Sequence, residues 1–108
     1  DIVFMKFDWD RRCAEGGQPP YPEPQALEWL VSQGIKLLGI DSPGLEVPGC
    51  RELLNHHILF DRGIPLIESL VNLEKLQDSR VYVFALPLPA RGTDAIPLRV
   101  LAFEGEAT

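Results

Sequence analysis

A helical pattern that ends at a glycine and passes at once into a short apolar strand occurs twice along the chain. In the first instance, apolar residues recur at helical spacing before Gly34, and residues 35–40 form the predicted strand. In the second, residues 51–61 form the predicted helix, Gly63 follows it, and residues 64–67 form the strand. Glycine commonly follows a helix, and a helix that leads into a strand is typical of α/β units. The sequence therefore predicts an α/β fold.

The remaining predicted elements are a strand, a proline-rich loop, a helical turn and two further strands, at residues 2–7, 16–24, 72–76, 81–88 and 98–103. Pro24 stands near the start of the first long helix, where its missing N–H is tolerated. Pro65 lies inside the strand at residues 64–67, which predicts a sheet edge or a strand start. The tail from Gly105 is expected to fray.

Length and charge limit the classes of protein that this chain can belong to. A chain of 108 residues is enough for one domain, and we expect a single domain over residues 1–108. The net charge is −6, and the ten Lys and Arg residues are scattered along the chain. Nucleic-acid binding needs clustered basic residues for the phosphates, so we expect no nucleic-acid partner.

The sequence also bears on where the protein works. No apolar run approaches the roughly 18 residues of a membrane span, and the first residues do not resemble a signal peptide. Cys13 and Cys50 are far apart in the sequence. One disulfide between them is possible, but we prefer the interpretation that both are reduced thiols in a cytoplasmic protein. The chain begins on Asp1 and enters a strand at once, so we expect it to continue something longer.

His56 and Glu68 are the first candidate metal ligands. They are twelve residues apart, one on the second predicted helix and one directly after the following strand. A helix that returns into a strand can bring two such positions together, and imidazole with carboxylate suits Zn²⁺, Mn²⁺ or Fe²⁺. A surface or capping pair is the more common meaning of this spacing. Neighbouring helical side chains point about 100° apart, so His56 and His57 cannot both face the same site, and position alone does not say which of them does.

Acidic residues at strand ends are the other candidates. Asp8, Trp9 and Asp10 follow the first predicted strand, and Asp41 follows the second. α/β proteins often place sites at the carboxyl ends of strands, but a solvated turn or a turn-forming Asp explains these residues as well. Cys13 has no base near it in sequence, so we do not expect a catalytic thiol.

Several segments, taken in order, resemble the metal-dependent cyclase family, which includes bacterial kynurenine formamidase and isatin hydrolase. Residues 37–43, LLGIDSP, resemble its Gly-Ile/Val-Asp strand end, and Asp8-Trp9 resembles a strand end upstream. Residues 56–73 resemble its H…G-x-x-I-x-E-x-L-x-N-L segment. Residues 83–88 and 92–99 resemble its A-L-P-L…G-x-D-G-S-P-V-R ending. The resemblance runs from about residue 2 to residue 103.

The resemblance implies a swivelling α/β domain of layered β/β/α type, incomplete here, and a metal-dependent hydrolase of amide or lactam substrates. The family's helix His and strand Glu are metal ligands, and they match His56 and Glu68. The implied cofactor is Zn²⁺ or Mn²⁺, with hydroxide on the metal attacking the carbonyl of a small amide of the arylformamidase type. The resemblance also implies that this chain either forms a homo-oligomer or works with an N-terminal half that is missing here.

This chain departs from the family in two respects. The family's main ligand motif, H-x-G-T-H-x-D-x-P-x-H, is not in these 108 residues, so the chain resembles a C-terminal half that carries part of a site. Gly44 and Glu46 stand where many members have Ser and Asp. The alternative is a truncated, non-catalytic domain that serves as a scaffold or assembly module.

Overall fold

A computed structural model describes residues 1–105 and divides the chain into two compact units, Asp1–Glu74 and Lys75–Thr108. Residues 106–108, where fraying was expected, lie outside the described part. The first unit holds all the candidate site residues. Each unit is described by itself below, and the expected single domain over residues 1–108 stays a prediction.

Three parallel strands form the sheet of the first unit. They are β1 (Ile2–Met5), β2 (Leu37–Ile40) and β3 (Leu66–Ile67), in the order β1-β2-β3. In the register, Ile2 is opposite Leu37 and Leu38 is opposite Leu66. The carboxyl ends of all three strands therefore lie at one edge of the sheet, which is where Glu68 follows β3.

Three helices belong to the same unit: α1 (Trp9–Arg12), α2 (Pro24–Ser32) and α3 (Leu54–Phe60). Short 3-10 turns follow at Cys13–Glu15 and Leu73–Lys75. The main core brings side chains of α2, β2 and α3 together with neighbouring loop residues, and its buried members are Leu27, Leu30, Ile35, Leu38, Ile40, Leu45, Leu59 and Ile64. The two longer helices thus cover the face of β2 that carries Leu38 and Ile40, as the crossovers of parallel strands require.

The opposite face of β2 is built around Gly39. A Cβ placed there would lie 2.5 Å from Cδ1 of Phe4 and 2.8 Å from Cδ1 of Leu70. Real Cβ atoms do not approach carbon so closely, so these two apolar side chains occupy the space that a larger residue would need. The packing of this face explains the glycine in the middle of a strand.

The predicted elements of the first unit exist, but most are shorter than the sequence indicated. The second long helix was expected from residue 51 and begins at Leu54. Leu53 has a left-handed backbone with φ 51°, which prevents the helix from extending further towards the N-terminus. The sequence does not predict helix α1, because Asp8, Trp9 and Asp10 resemble a turn at the end of a strand. β3 is an edge strand, as Pro65 indicated.

The second unit contains an antiparallel pair, β4 (Tyr82–Ala85) and β5 (Val100–Phe103), with Tyr82 opposite Phe103. The rings of Phe84 and Phe103 meet edge to face at 5.5 Å between centroids. The Glu104 carboxylate accepts the backbone N–H groups of Gln77 and Asp78. These contacts tie the segment before β4 to the end of β5.

The predicted α/β class is confirmed by this mixture of helices and strands, and the layered swivelling arrangement stays a prediction. Cys13 and Cys50 are free thiols. Within residues 1–105, we find no helix with the length and apolar character that a membrane crossing requires.

Candidate functional site

The first turn of α3 is anchored to two loops by Asn55. This side chain is only 3% exposed, and its Nδ2 donates to the backbone oxygens of Pro22 at 2.9 Å and Leu45 at 2.8 Å. Two separate chain segments therefore hold the start of the helix in place. The next residue along the helix is His56, so its backbone position is fixed by buried hydrogen bonds.

Glu46 caps the same helix from ten residues upstream. Its Oε1 accepts the backbone N–H of Asn55 at 3.0 Å, and its Oε2 accepts that of His56 at 2.7 Å. These N–H groups have no partner within a helix, and a carboxylate at this end also meets the positive end of the helix dipole. Burial raises the pKa of Glu46, but the hydrogen bonds from His56 and Asn55 outweigh it, so the pKa lies below its ordinary value.

The imidazole of His56 lies between two carboxylates. Its Nδ1 is 2.8 Å from Oε2 of Glu46, and its Nε2 is 3.6 Å from Oε1 of Glu68. The His56 side chain is 23% exposed and the Glu68 side chain 37%. Phe60 meets the imidazole edge to face at 5.5 Å between ring centroids. The structure thus brings together the two residues that the sequence proposed as a pair, at a place that solvent can reach.

The backbone after β3 positions Glu68. Ser69 has a left-handed backbone with φ 60°, and its N–H donates to the carbonyl of Ser42 at 2.9 Å. The N–H of Leu70 donates to the carbonyl of Ile40 at 3.0 Å. Both bonds hold the chain beyond Glu68 against the end of β2. A left-handed non-glycine residue is uncommon, and here hydrogen bonds on a neighbouring strand maintain it.

The two neighbouring histidines point in different directions, as helical geometry predicted. The side chain of His57 is 64% exposed, and its Nδ1 lies 3.4 Å from Oδ1 of Asp61 one turn later. His57 also lines a shallow depression between α2 and α3 that neither His56 nor Glu68 borders. His57 is therefore a solvent-facing residue and a natural comparison for His56.

Asp41 has a structural position in the sheet. It is 2% exposed, and its two carboxylate oxygens accept the backbone N–H groups of Phe7 and Asp8, each at 2.8 Å. The carboxylate thus fixes the chain where it leaves β1. This explains a buried Asp at the end of β2 by the hydrogen bonds it accepts, without a ligand.

Asp8 and Asp10 also make contacts within the chain. Oδ1 of Asp8 lies 3.6 Å from Nζ of Lys6 and 3.4 Å from Nη2 of Arg11. Oδ2 of Asp10 accepts the backbone N–H of Asn72 at 3.1 Å. Trp9 is the half-buried first residue of α1. Across residues 1–105, no group of three or more His, Cys, Asp or Glu side chains is placed to hold one metal ion. The acidic residues at the strand ends therefore do not join His56 and Glu68 in such a group.

Glu46 is the site residue that sequence reasoning missed. It had been considered only as a departure from the family pattern, at a position where many members have Asp. One signal was present: no Ser, Thr, Asp or Asn stands directly before Leu54 to cap the helix, so a cap had to come from elsewhere. An acidic residue in the loop just before the helix was the natural source.

Comparison with known proteins gives consistent matches. Residues 1–47 match the family model described as "Putative cyclase". Kynurenine formamidase from Bordetella avium (strain 197N) is 37% identical over 81 residues, which are 75% of this chain and 38% of that protein. Kynurenine formamidase from Bacillus cytotoxicus is 33% identical over 97 residues, covering 84% of this chain and 46% of that protein.

A solved structure is similar as well. It is described as "The Structure Of Potential Metal-Dependent Hydrolase With Cyclase Activity", and it matches with a TM-score of 0.64 and 33% identity over 81% of this chain and 42% of that one. The chain spans less than half the length of the curated relatives named here. The family model, the relatives and the solved structure agree, and the chain is similar over most of its length to proteins of the cyclase family.

Proposed function

We propose that this chain supplies part of the active site of a metal-dependent hydrolase that cleaves small amides of the arylformamidase type. The observation that carries the proposal is the arrangement of His56, whose Nε2 faces the carboxylate of Glu68 while its Nδ1 is held by Glu46. The relatives named kynurenine formamidase and the neighbour described as a metal-dependent hydrolase support the same chemistry.

The distance between the two candidate ligand atoms suits a shared ion. Zn²⁺ binds His nitrogen and carboxylate oxygen at about 2.0–2.2 Å, so two ligand atoms of one ion lie about 3 to 3.6 Å apart. Nε2 of His56 and Oε1 of Glu68 are 3.6 Å apart. That separation is longer than a hydrogen bond, so these two atoms are not hydrogen-bonded to each other. We propose Zn²⁺ or Mn²⁺ as the ion, because imidazole and carboxylate suit both.

In this proposal His56 and Glu68 hold the metal, and they do not transfer the proton. When bound, the ion would polarise a carbonyl and activate water at neutral pH. The remaining ligands and the acid–base group would come from polypeptide beyond the described residues, within which no third ligand joins the pair. We further propose that the chain forms part of a layered β/β/α domain, works in the cytoplasm, and acts in an oligomer or with an N-terminal half.

Metal binding by the 108-residue chain tests the ligand assignment. Titration calorimetry with Zn²⁺ and with Mn²⁺ would compare the wild type with His56→Ala and Glu68→Gln. We expect each substitution to weaken metal binding by more than about tenfold. Loss of a group that only hydrogen-bonds to a metal ligand already costs about 10–100-fold in affinity, and loss of a ligand itself should cost at least as much. His57→Ala is the matched control on the same helix and should bind as the wild type does. Equal affinity in all four proteins would remove His56 and Glu68 from the site.

The coding DNA upstream of Asp1 separates this proposal from the scaffold alternative. An in-frame H-x-G-T-H-x-D motif would supply the missing ligands and favour the enzyme. A start codon directly upstream of Asp1, together with a chain that binds neither metal, would favour a non-catalytic assembly module.

A further inference from the structure

The Glu46 carboxylate contacts both the backbone and the ring of His56. Oε2 accepts the His56 backbone N–H at 2.7 Å and lies 2.8 Å from Nδ1 of the same residue, while Oε1 accepts the backbone N–H of Asn55 at 3.0 Å. The Glu46 side chain is only 11% exposed. The proposed hydrolase function makes His56 and Glu68 the metal ligands and does not say what the contact of Glu46 with the ring does for them.

The two backbone hydrogen bonds fix the orientation of this carboxylate. An ionised carboxylate only accepts hydrogen bonds, so an imidazole nitrogen at 2.8 Å must be the one that carries a proton. In the neutral ring the other nitrogen, Nε2, then keeps its lone pair. That nitrogen is the one directed at Glu68.

We propose that Glu46 is a positioning residue that holds His56 in the Nδ1–H tautomer and so directs the Nε2 lone pair towards a metal shared with Glu68. The inference rests on the proposed function for the metal, but its first part, the tautomer, does not need a metal. Metal-binding histidines generally donate their second ring N–H to a carboxylate or carbonyl, which fixes the ring and raises its basicity.

A purely structural cap would make a different prediction. Capping of α3 requires only the backbone contacts to Asn55 and His56, and it would be insensitive to which ring nitrogen carries the proton. The ring contact is what distinguishes a positioning residue. His57 offers the matched comparison, because its Nδ1 lies 3.4 Å from an exposed carboxylate, that of Asp61, and has no buried partner.

Glu46→Gln is the decisive substitution, since it keeps the size of the side chain and removes its charge. An amide presents one acceptor oxygen and one NH₂ donor in place of two acceptors. Oε2 contacts both the backbone N–H and Nδ1 of His56, so its place is taken either by the amide oxygen or by the NH₂. The neutral oxygen is a weaker acceptor for Nδ1–H than a carboxylate, and the NH₂ requires an unprotonated Nδ1. In either orientation we expect Glu46→Gln to shift the His56 proton towards Nε2.

The first test is ¹⁵N NMR of the metal-free 108-residue chain, with ring nitrogens assigned through their couplings to the ring protons, at a pH where the ring is neutral. We expect Nδ1–H for His56 in the wild type, a shift towards Nε2–H in Glu46→Gln, and no change of the His56 tautomer in Asp61→Asn. A wild-type His56 in the Nε2–H form would overturn the inference. So would an unchanged tautomer in a folded Glu46→Gln protein. If that variant does not fold, the wild-type spectrum still decides.

The second test is calorimetric binding of Zn²⁺ to the same proteins. We expect Glu46→Gln to bind Zn²⁺ about 10- to 100-fold more weakly than the wild type, and Asp61→Asn to bind with unchanged affinity. Wild-type binding that depends on His56 but not on Glu46 would refute the positioning role and leave the proposed function standing. A wild type that binds no Zn²⁺ or Mn²⁺ would refute the metal site, whereas the tautomer result would still judge the contact of Glu46 with the ring.

Discussion

The carboxylate of Asp41 accepts the backbone N–H of Asp8 at 2.8 Å, across 33 residues of sequence. Its other oxygen accepts the N–H of Phe7, so Asp41→Ala would leave two donors without their partner. We expect the free energy of unfolding to fall by about 1–3 kcal/mol, because hydrogen bonds to a charged group contribute about 1.5–3 kcal/mol and both of these donors are partly buried. Urea denaturation measures this loss. Asp61→Ala, at an exposed carboxylate, is the control and should change the value by less than about 0.5 kcal/mol.

Gly39 should tolerate no side chain. In Gly39→Ala the new methyl group meets the ring of Phe4 and the side chain of Leu70, and such overpacking costs about 1–3 kcal/mol. Gly44→Ala is the matched control, since a Cβ there meets open space. Denaturation midpoints of the two variants should differ clearly, and equal midpoints would contradict the close packing on this face of the sheet.

Stability should depend on pH through Glu46. Its pKa is below the ordinary value of 4.5 in the folded chain, so the unfolded chain takes up the proton first as the pH falls. The stabilisation is therefore complete above pH 4.5 and is lost as the pH drops through the lower, folded-state pKa. We expect Glu46→Gln to be less stable by about 0.5–2 kcal/mol near neutral pH, the range for a lost helix cap.

Denaturation of wild type and Glu46→Gln at a series of pH values measures this difference. The gap between the two proteins should narrow in acid, below the pH at which Glu46 begins to take up its proton. A gap that stayed constant down to the lowest pH at which both proteins fold would show that the Glu46 carboxylate is not stabilised by its contacts with α3.

The 108-residue chain alone should hydrolyse N-formylkynurenine poorly even when supplied with Zn²⁺ or Mn²⁺. Its described residues bring only two candidate ligands together, and the loss of an outer-shell partner alone costs 10–100-fold. We therefore expect turnover more than about 100-fold below that of an intact kynurenine formamidase assayed beside it. A rate close to that of the intact enzyme would disprove the view that this chain holds only part of the site.

Local pattern predicted the order of the elements well. The glycines after α2 and α3 marked both helix ends because glycine readily adopts the positive φ found there, and Pro65 indicated the edge position of β3 because proline has no N–H to donate. The exact start of α3 could not be predicted this way. It depends on the left-handed Leu53 and on a cap from Glu46, which lies several residues earlier in the loop before the helix.

The candidate site was likewise predictable only in part. The family pattern singled out His56 and Glu68, and helical geometry predicted that His56 and His57 could not both face one site. The ring contact with Glu46 was not predictable, because it requires the loop before α3 to fold back over the helix N-terminus. The role of Asp41 was left open for a similar reason: its hydrogen-bond partners, Phe7 and Asp8, follow β1 and lie 34 and 33 residues earlier in the sequence.

The parallel pairing of all three strands in the first unit has a consequence for folding during synthesis. Ile2 can pair with Leu37, and Leu38 with Leu66, only after the later residue of each pair has been synthesised. Such distant pairings must close long loops before they gain contacts, which slows folding. The segment that carries Glu68 is the last strand of this sheet to be synthesised, so the nascent chain can assemble the His56–Glu68 pair only after the sheet has its final strand.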